Sequence, residues 1–289
     1  MRRVIYSLYI DIPKEELDYQ EPYYGDDIPK TERTKIEFQK YYDKLLACKQ
    51  KYADDIGVPF LMYEYDNDFK LYKKWFNHYY PQITEYNIVN FYKLQIMHAL
   101  CRNYDEVLYL DFDVVPVTKE NFFEVHDLSK GIAIKDNNNL AKKTLRELRG
   151  RPIESVRSPT AKYWNCHALL QANGYDTDND VFNTGIVGIS AQHMKQLAYF
   201  DNIEGIIKEM DELIDDGMYP DEIAQMFGWD NETIWSYLVK TRELPVQWLH
   251  WQWHLFYDKY KIVPSKSKFV HVINKKFDGV FDYYETNCL

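Results

Sequence analysis

Strand-like and helix-like stretches alternate along the first half of this 289-residue chain, and this alternation limits the folds open to it. Val4 to Ile10 and Pro59 to Tyr65 are rich in the β-branched, aromatic and aliphatic residues of strands. Lys35 to Tyr52 and Ile88 to Arg102 instead repeat apolar residues at helical spacing. The pattern predicts an α/β fold in which helices flank a mostly parallel central sheet.

The second half continues with two predicted strands and three predicted helices. The strands are Gly131 to Lys135 and Val181 to Ser190, and the helices are Ala191 to Tyr199, Ile203 to Asp215 and Glu232 to Lys240. No repeat, low-complexity tract or obvious linker interrupts the sequence. We therefore expect one continuous domain.

The charged residues are mostly acidic, with 35 Lys and Arg against 45 Asp and Glu and a formal net charge of −10. This balance argues against a general nucleic-acid binder, whose affinity comes largely from basic residues that neutralise phosphates. An anionic ligand would need a local source of positive charge, such as a metal ion. The basic run from Lys142 to Arg157 is interpreted either as a solvated helix face or as a lid or acceptor-side insertion.

The cysteines and the apolar runs of the sequence indicate in which cellular compartment the protein is expected and whether it spans a membrane. The four cysteines lack CxxC pairs and short metal-type spacings, so we expect reduced thiols in a cytoplasmic protein and no zinc site. The opening MRRVIYSLYID is interrupted by Ser7 and stopped by Asp11, which favours a first buried strand over a signal peptide. No run reaches the roughly 20 apolar residues of a membrane-spanning helix, so we expect no transmembrane segment and at most peripheral membrane contact.

A strand-like run ends in two aspartates in the sequence DEVLYLDFDVVP, from Asp105 to Pro116. Residues i and i+2 of a strand point to the same face, so we expect Asp111 and Asp113 to project together while Phe112 turns to the opposite layer. Two carboxylates at the carboxyl end of such a strand suit magnesium, calcium or manganese. The alternative is that one aspartate caps a turn and the other is solvated.

Five stretches occur in an order that is typical of one enzyme family: FYKLQ, LDFD, VFNTGIVGIS, DNETIW and FVHVINKK. The chain resembles a GT-A glycosyltransferase, most similar to the retaining family 8 type that contains glycogenin and bacterial lipopolysaccharide galactosyltransferases. The resemblance runs from about Ile88 to Lys276. It implies a single Rossmann-like GT-A domain, with a nucleotide-binding half at 1–135. The segment 136–289 would be the acceptor-binding half and would carry the C-terminal metal-ligand segment.

The resemblance implies a metal site for Mn²⁺ or Mg²⁺. Asp111 would help to hold the ribose and the metal, and Asp113 would chelate the metal together with the donor's diphosphate. His271, in KFVHVIN, occupies the place of the family's third protein ligand. Without the resemblance, a histidine beside apolar neighbours is more often a hydrogen-bonded core residue.

The resemblance also implies residues that bind a nucleotide-sugar donor. Tyr9 and Asp11 fit the usual nucleotide-binding start at the first strand, and Lys93 falls where the family usually carries arginine. FNTG matches a strand motif whose asparagine, here Asn183, lies close to the donor sugar. Gly185 would permit close approach of the backbone.

Two further pairs carry roles implied by the resemblance. The family places a glycine and then a phosphate-contacting lysine after the histidine, whereas Lys275 and Lys276 stand here after an asparagine, so either lysine is a candidate. Asp230 would bind sugar hydroxyls and Asn231 would lie near the anomeric carbon, which makes these two the catalytic candidates. Both residues are also favoured at the start of a helix, and a capping role is the alternative.

These roles imply transfer of a sugar from a nucleotide diphosphate sugar, with UDP favoured by the resemblance, to a hydroxyl of a glycan, protein-linked or lipid-linked acceptor. The metal would stabilise the departing phosphate, and reaction with retention would need no strong protein base. An inverting enzyme would need a carboxylate base, for which Asp221 and Glu222 are candidates.

Two other functions remain open from the sequence. A phosphosugar phosphatase of the haloacid dehalogenase type also carries a DxD after a hydrophobic strand, with its first aspartate as nucleophile, although that motif normally ends the first strand of the domain. A noncatalytic carbohydrate-binding protein is suggested by the 26 tyrosines and seven tryptophans.

Overall fold

The computed structural model describes residues 1–17, 30–138, 143–150, 158–215, 219–220, 223 and 229–288. The chain forms two compact units. Unit 1 comprises Met1–Leu128, Gly185–Ala191 and Leu249–Leu289, and unit 2 comprises Ser129–Thr184 and Gln192–Trp248.

Helices and strands alternate along the described residues. In chain order they are β1 (Arg3–Tyr9), a 3₁₀ turn (Lys14–Glu16), α1 (Lys30–Asp55), β2 (Phe60–Glu64), α2 (Asn67–Tyr79), α3 (Glu85–Leu100), β3 (Glu106–Leu110), β4 (Val114–Pro116), α4 (Phe122–Val125), β5 (Ile132–Asp136), α5 (Leu145–Leu148), α6 (Ser158–Ala172), β6 (Phe182–Ser190), α7 (Ala191–Leu197), α8 (Ile203–Asp215), α9 (Asn231–Thr241), β7 (Val246–Trp248), β8 (Leu255–Phe256), α10 (Tyr257–Tyr260), β9 (Phe269–His271) and α11 (Asp278–Asn287).

The main sheet of unit 1 has β3 between two neighbours. β1 pairs in parallel with β2 and with β3, and the part of β6 that belongs to unit 1 pairs antiparallel with β3. Every residue of β3 is buried, as expected for a strand covered on both faces. The α/β class with a mostly parallel sheet flanked by helices is thus confirmed.

A small second sheet in unit 1 brings the C-terminal segment to the end of β3. β4 pairs antiparallel with β9, with Val114 opposite His271, and β8 pairs in parallel with β9, with Phe256 opposite His271. Side chains of α1, α11 and the small sheet pack together in one apolar cluster that includes Phe38, Val270 and Phe281. This packing holds β9, which contains His271, beside β4, which directly follows Asp113.

Unit 2 contains β5, β7 and the helices from α5 to α9. β5 and β7 pair in parallel, with Ile132 opposite Val246. Helix α9 packs against α6 and is buried from Asn231 to Val239. Its first turn, including Asn231, is therefore buried.

The predicted helices and strands are all found, with ends shifted by at most five residues, and α8 has the predicted bounds. Helices α2, α6 and α11 were not predicted. The segment from Pro13 to Pro29 is acidic and rich in tyrosine and proline, which predicts a surface loop, and its residues 18–29 lie outside the described part of the chain. Among the residues that the structure describes, no helix combines the length and apolar character needed to cross a membrane.

His126 gives the folded state a testable dependence on pH. Its ring lies 4.5 Å from the ring of Phe122 and 5.2 Å from that of Trp253, centroid to centroid, and burial lowers its pKa to about 4. The pKa of His126 is lower in the folded protein than in the unfolded chain, so the neutral ring contributes to folding stability. This contribution is present above about pH 6.5 and is lost as the pH falls toward 4. We expect the free energy of unfolding in urea to fall between pH 7 and 4.5 in wild type and to fall less in His126→Phe. The difference between the two proteins should be about 1–2 kcal/mol, a value that allows for partial exposure of the His126 ring.

The control is His250→Phe, which changes an exposed histidine and should keep the wild-type pH dependence. Equal pH slopes for wild type and His126→Phe would contradict the assignment.

Candidate active site

The two aspartates of the DFD sequence are brought together by a tight turn. β3 ends at Leu110, and the backbone N–H of Val114 donates to the carbonyl of Asp111 at 2.9 Å. The N–H of Asp111 donates to the carbonyl of Gly185 in β6 at 2.7 Å. The carboxylates therefore converge because the chain turns between β3 and β4, and not because they alternate along an extended strand.

The residue between the aspartates anchors this turn. The Phe112 ring stacks on the ring of Tyr9 at 5.0 Å and packs against Phe38 and Tyr42. The carbonyl of Phe112 accepts a 2.8 Å hydrogen bond from the ammonium of Lys49, a fully buried residue of α1 whose pKa is lowered by burial. Both the ring and the carbonyl of Phe112 are thus fixed by α1 and β1.

Asp111, Asp113 and His271 form a group of ligand atoms that all lie within 4.8 Å of one another. His271 Nε2 is 3.3 Å from Asp113 Oδ1 and 3.8 Å from Asp111 Oδ2. Neighbouring oxygen or nitrogen ligands of an octahedral Mg²⁺ lie about 3 Å apart. Two carboxylates and one imidazole at these separations are a donor set that suits a divalent cation such as Mn²⁺ or Mg²⁺.

The acidic pair is surrounded by cationic and hydroxyl groups. Burial alone would raise the pKa of Asp113, but Lys275 and His271 outweigh burial and hold that pKa well below its usual range. The ammonium of Lys275 contacts Asp113 Oδ2 at 2.5 Å, and the contact with Asp113 outweighs burial to raise the pKa of Lys275. Asp113 is thus ionised, and Lys275 charged, at neutral pH.

Asp111 is the more accessible member of the pair, with 28% of its side chain exposed. Its Oδ1 accepts a 2.5 Å hydrogen bond from the hydroxyl of Tyr109 and lies 3.6 Å from the ammonium of the buried Lys93. The carbonyl of Lys93 in turn accepts a hydrogen bond from the Tyr6 hydroxyl at 2.8 Å. The predicted Lys93 therefore lies beside the acidic pair, held by the first strand.

Gly185 lies against two of the candidate ligands. A Cβ added at this position would be 2.4 Å from His271 Cε1 and 2.8 Å from Asp111 Oδ2. Real Cβ contacts are not so short, so any side chain here would displace the histidine or the aspartate. The need for a glycine at this point of the FNTG motif is steric.

The residues predicted for the nucleoside line a surface cavity of unit 1. Tyr9 and Asp11 border this cavity of about 540 Å³ together with Gln39, Tyr42 and Tyr65, among others. Asp11 is held by Lys35, whose ammonium is 3.0 Å from Oδ1, and by the Gln39 amide at 3.2 Å from Oδ2. The cavity is bordered by aromatic rings and carboxylates.

The remaining predicted residues have different surroundings. Lys276 is exposed, whereas its neighbour Lys275 reaches Asp113. Asn183 is half-buried in the part of β6 that belongs to unit 2. The possible bases Asp221 and Glu222 lie outside the described residues, as do residues 142 and 151–157 of the basic run from Lys142 to Arg157.

Asp230 and Asn231 belong to a buried polar cluster in unit 2. Asp230 caps α9 by accepting hydrogen bonds from the backbone N–H groups of Glu232 and Thr233, and Asn231 Nδ2 lies 3.4 Å from Thr184 Oγ1. The capping role considered for Asp230 is therefore present.

A lysine of α6 completes this cluster. The Lys162 ammonium is hydrogen bonded to Glu232 and lies 3.5 Å from Asp230 Oδ2, and Glu232 also accepts from the backbone N–H of Thr184 at 2.6 Å. Burial raises the pKa of Asp230 more strongly than Lys162 lowers it.

Several residues of these sites were missed by sequence reasoning. Lys49, Tyr109 and Lys162 look like ordinary helix or strand residues in the sequence, because their partners lie far along the chain or on the opposite side of a turn. The spacing of two residues between Tyr109 and Asp111 in VLYLDFD was a usable signal for Tyr109, because residues i and i+2 at a strand end can lie on the same side.

No family model matches the sequence, and no curated protein matches it. Similar solved structures include a glycosyltransferase involved in glycosylation of the major capsid of PBCV-1, with 13% identity, a TM-score of 0.49, and coverage of 94% of this chain and 95% of that one. The galactosyltransferase LgtC, in complex with donor and acceptor sugar analogues, has 13% identity, a TM-score of 0.43, and coverage of 93% and 87%. Mouse xyloside xylosyltransferase 1 has 11% identity, a TM-score of 0.39, and coverage of 74% and 76%. With TM-scores below 0.5, the roles of residues rest on the geometry of the site itself.

Gly185 and Gly188 offer a matched test of the site, because both lie in β6. A methyl group in Gly185→Ala would meet His271 and Asp111, whereas one in Gly188→Ala would meet the Phe122 ring and Leu128. We expect Gly185→Ala to weaken Mn²⁺ binding by at least about tenfold, since displaced ligands reduce metal affinity by factors of this size. Gly188→Ala should lower the melting temperature and leave Mn²⁺ affinity unchanged. Titration of Mn²⁺ by electron paramagnetic resonance and thermal unfolding would measure the two effects, and unchanged Mn²⁺ binding in Gly185→Ala would contradict the site.

Proposed function

We propose that the protein is a metal-dependent glycosyltransferase that moves a sugar from a nucleotide diphosphate sugar, with UDP as the favoured nucleotide, to a hydroxyl acceptor. The observation that carries the proposal is the convergence of Asp111, Asp113 and His271 at the end of the central strand. The order of the motifs around this strand supports the same class of enzyme.

Asp111, Asp113 and His271 would hold Mn²⁺ or Mg²⁺, which supplies positive charge to the diphosphate leaving group when it is bound. Lys275 adds a second positive charge beside Asp113, and its long side chain can bind a phosphate oxygen as well as the carboxylate. Lys93 and the Tyr109 hydroxyl orient Asp111 from the opposite side.

The nucleoside would occupy the cavity bordered by Tyr9 and Asp11. Aromatic rings offer a face for the base, and a carboxylate accepts hydrogen bonds from ribose hydroxyls. Lys35 would orient Asp11 for this role.

The sugar would be bound by Asn183, Asp230 and Asn231. Asp230 Oδ1 accepts from two backbone N–H groups, whereas its Oδ2 lies 3.5 Å from the ammonium of Lys162, so Oδ2 is the oxygen proposed to accept from a sugar hydroxyl beside that lysine. We assign retention to the reaction, with the departing phosphate receiving the proton of the acceptor. The acceptor is proposed to be a glycan or a protein-linked or lipid-linked hydroxyl.

We further propose that residues 1–289 act as one GT-A domain in a cytoplasmic protein that touches membranes only peripherally. In this proposal 1–135 is the nucleotide-binding half, and 136–289 is the acceptor-binding half and carries the C-terminal metal-ligand segment.

Thermal-shift measurements with nucleotides test the proposal directly. At a UDP concentration one hundred times its dissociation constant, a ligand that binds only the folded state stabilises that state by about 2.7 kcal/mol. UDP with Mn²⁺ should therefore raise the melting temperature by roughly 5 °C. UDP without metal should have little effect, and Asp113→Ala should abolish the shift. Asp105→Ala is the control, since Asp105 lies just before the other end of β3 and binds the backbone N–H of Arg2.

Indifference to every nucleotide in the presence of metal would overturn the proposal. Release of phosphate from small phosphoesters without stimulation by sugar acceptors would favour a phosphatase. Glycan binding that persists in chelator and needs no nucleotide would favour a noncatalytic carbohydrate-binding protein.

The two adjacent lysines allow a matched comparison of phosphate contacts. Lys275→Ala should weaken binding of UDP with Mn²⁺ by at least about tenfold, because a hydrogen bond to a charged group contributes about 1.5–3 kcal/mol. Lys276→Ala, at the exposed neighbour, should bind as wild type does. Calorimetric titration would measure both, and a larger loss in Lys276→Ala than in Lys275→Ala would reverse the assignment.

A further inference from the structure

A second histidine contacts the candidate metal ligand His271 from the side opposite the carboxylates. His254 Nε2 lies 2.9 Å from His271 Nδ1, which is hydrogen-bond distance, and the two residues are 1% and 4% exposed. His254 immediately precedes β8, whose Phe256 pairs with His271 across the small sheet. The contact is therefore built into the pairing of β8 with β9.

The two nitrogens of His271 have different surroundings. Nε2 faces Asp113 Oδ1 at 3.3 Å and Asp111 Oδ2 at 3.8 Å, whereas Nδ1 faces His254. A neutral imidazole carries its proton on one nitrogen and a lone pair on the other. Only the tautomer with the proton on Nδ1 leaves a lone pair on Nε2, where the carboxylates converge.

We propose that His254 is a positioning residue that selects this tautomer by accepting the Nδ1–H of His271 on its own Nε2. Metal-binding histidines commonly donate their other N–H to a neighbouring acceptor, which fixes the ring and raises the basicity of the ligating nitrogen. His254 is not a metal ligand in this arrangement, because its Nε2 faces the Nδ1 of His271. The inference rests on the proposed metal-dependent function.

Ring packing supports the same orientation. The ring of Phe256 lies 4.7 Å from the His254 ring and 5.8 Å from the His271 ring, centroid to centroid. Both imidazoles contact the same aromatic side chain, so neither ring can turn freely. The contact between His254 and His271 can form with either tautomer of His271, and the lone pair that a metal needs on Nε2 selects the one proposed.

Two substitutions separate the hydrogen bond from the packing. His254→Phe keeps an aromatic ring beside Phe256 and removes the acceptor, whereas His254→Gln provides an amide oxygen that can accept from Nδ1–H. We expect His254→Phe to weaken Mn²⁺ binding by about 10–100-fold, and His254→Gln to remain within about threefold of wild type. Free Mn²⁺ would be measured by electron paramagnetic resonance, and ¹⁴N coupling to bound Mn²⁺ would report ligation by His271.

His250→Phe is the control, because His250 is exposed on the same segment and hydrogen bonds to Gln252. Melting temperatures in chelator would establish that all variants fold. Equal Mn²⁺ affinities for His254→Phe and His254→Gln, whether both high or both low, would overturn the role of His254 and leave the metal site standing. Failure of the wild-type protein to bind Mn²⁺ would instead overturn the proposed function, and this inference with it.

Discussion

Two carboxylates held close together at the end of a buried strand repel each other and lose hydration, and unit 1 is organised around offsetting this. Asp113 receives the ammonium of Lys275 and lies beside the imidazole of His271. Asp111 keeps partial exposure and is contacted by the Tyr109 hydroxyl, with Lys93 3.6 Å away. These partners come from α3, β3, β9 and the segment after β9, so the charge arrangement ties the sheet to the C-terminal part of the chain.

The precision of this arrangement depends on a turn of four residues. Because Asp111 and Asp113 are separated by a turn, their mutual orientation is set by whatever fixes Phe112. The Phe112 ring is held among aromatic side chains of β1 and α1, and its carbonyl is held by Lys49. Burial of Lys49 costs hydration, which is offset in part by hydrogen bonds from its ammonium to the carbonyls of Phe112 and Leu45 at 2.8 and 3.3 Å.

The sequence predicted the fold class and the principal strands because period and composition are local signals. It placed Asp111 and Asp113 as candidates because carboxylates after an apolar strand stand out, whereas His271 was a candidate only through the resemblance to a known family. The turn was not predictable, since Val107 to Val115 reads as one uninterrupted strand. Lys49 was also missed, because a lysine in an amphipathic helix is usually solvated and its partner is a carbonyl 63 residues away. Such contacts depend on how distant segments pack, which periodicity does not encode.

The acidic cluster of unit 2 shows why the site of unit 1 is suited to a cation. Asp230 and Glu232 are as buried as Asp113, but backbone N–H groups and Lys162 hydrogen bond to their oxygens. Carboxylates held in this way stabilise a helix start and have less capacity for a metal. The described contacts of Asp111 and Asp113 come instead from side chains, which can rearrange without unfolding a helix. The two acidic pairs thus differ in that backbone N–H groups hold oxygens of Asp230 and Glu232, whereas the described contacts of the candidate metal ligands Asp111 and Asp113 come from side chains.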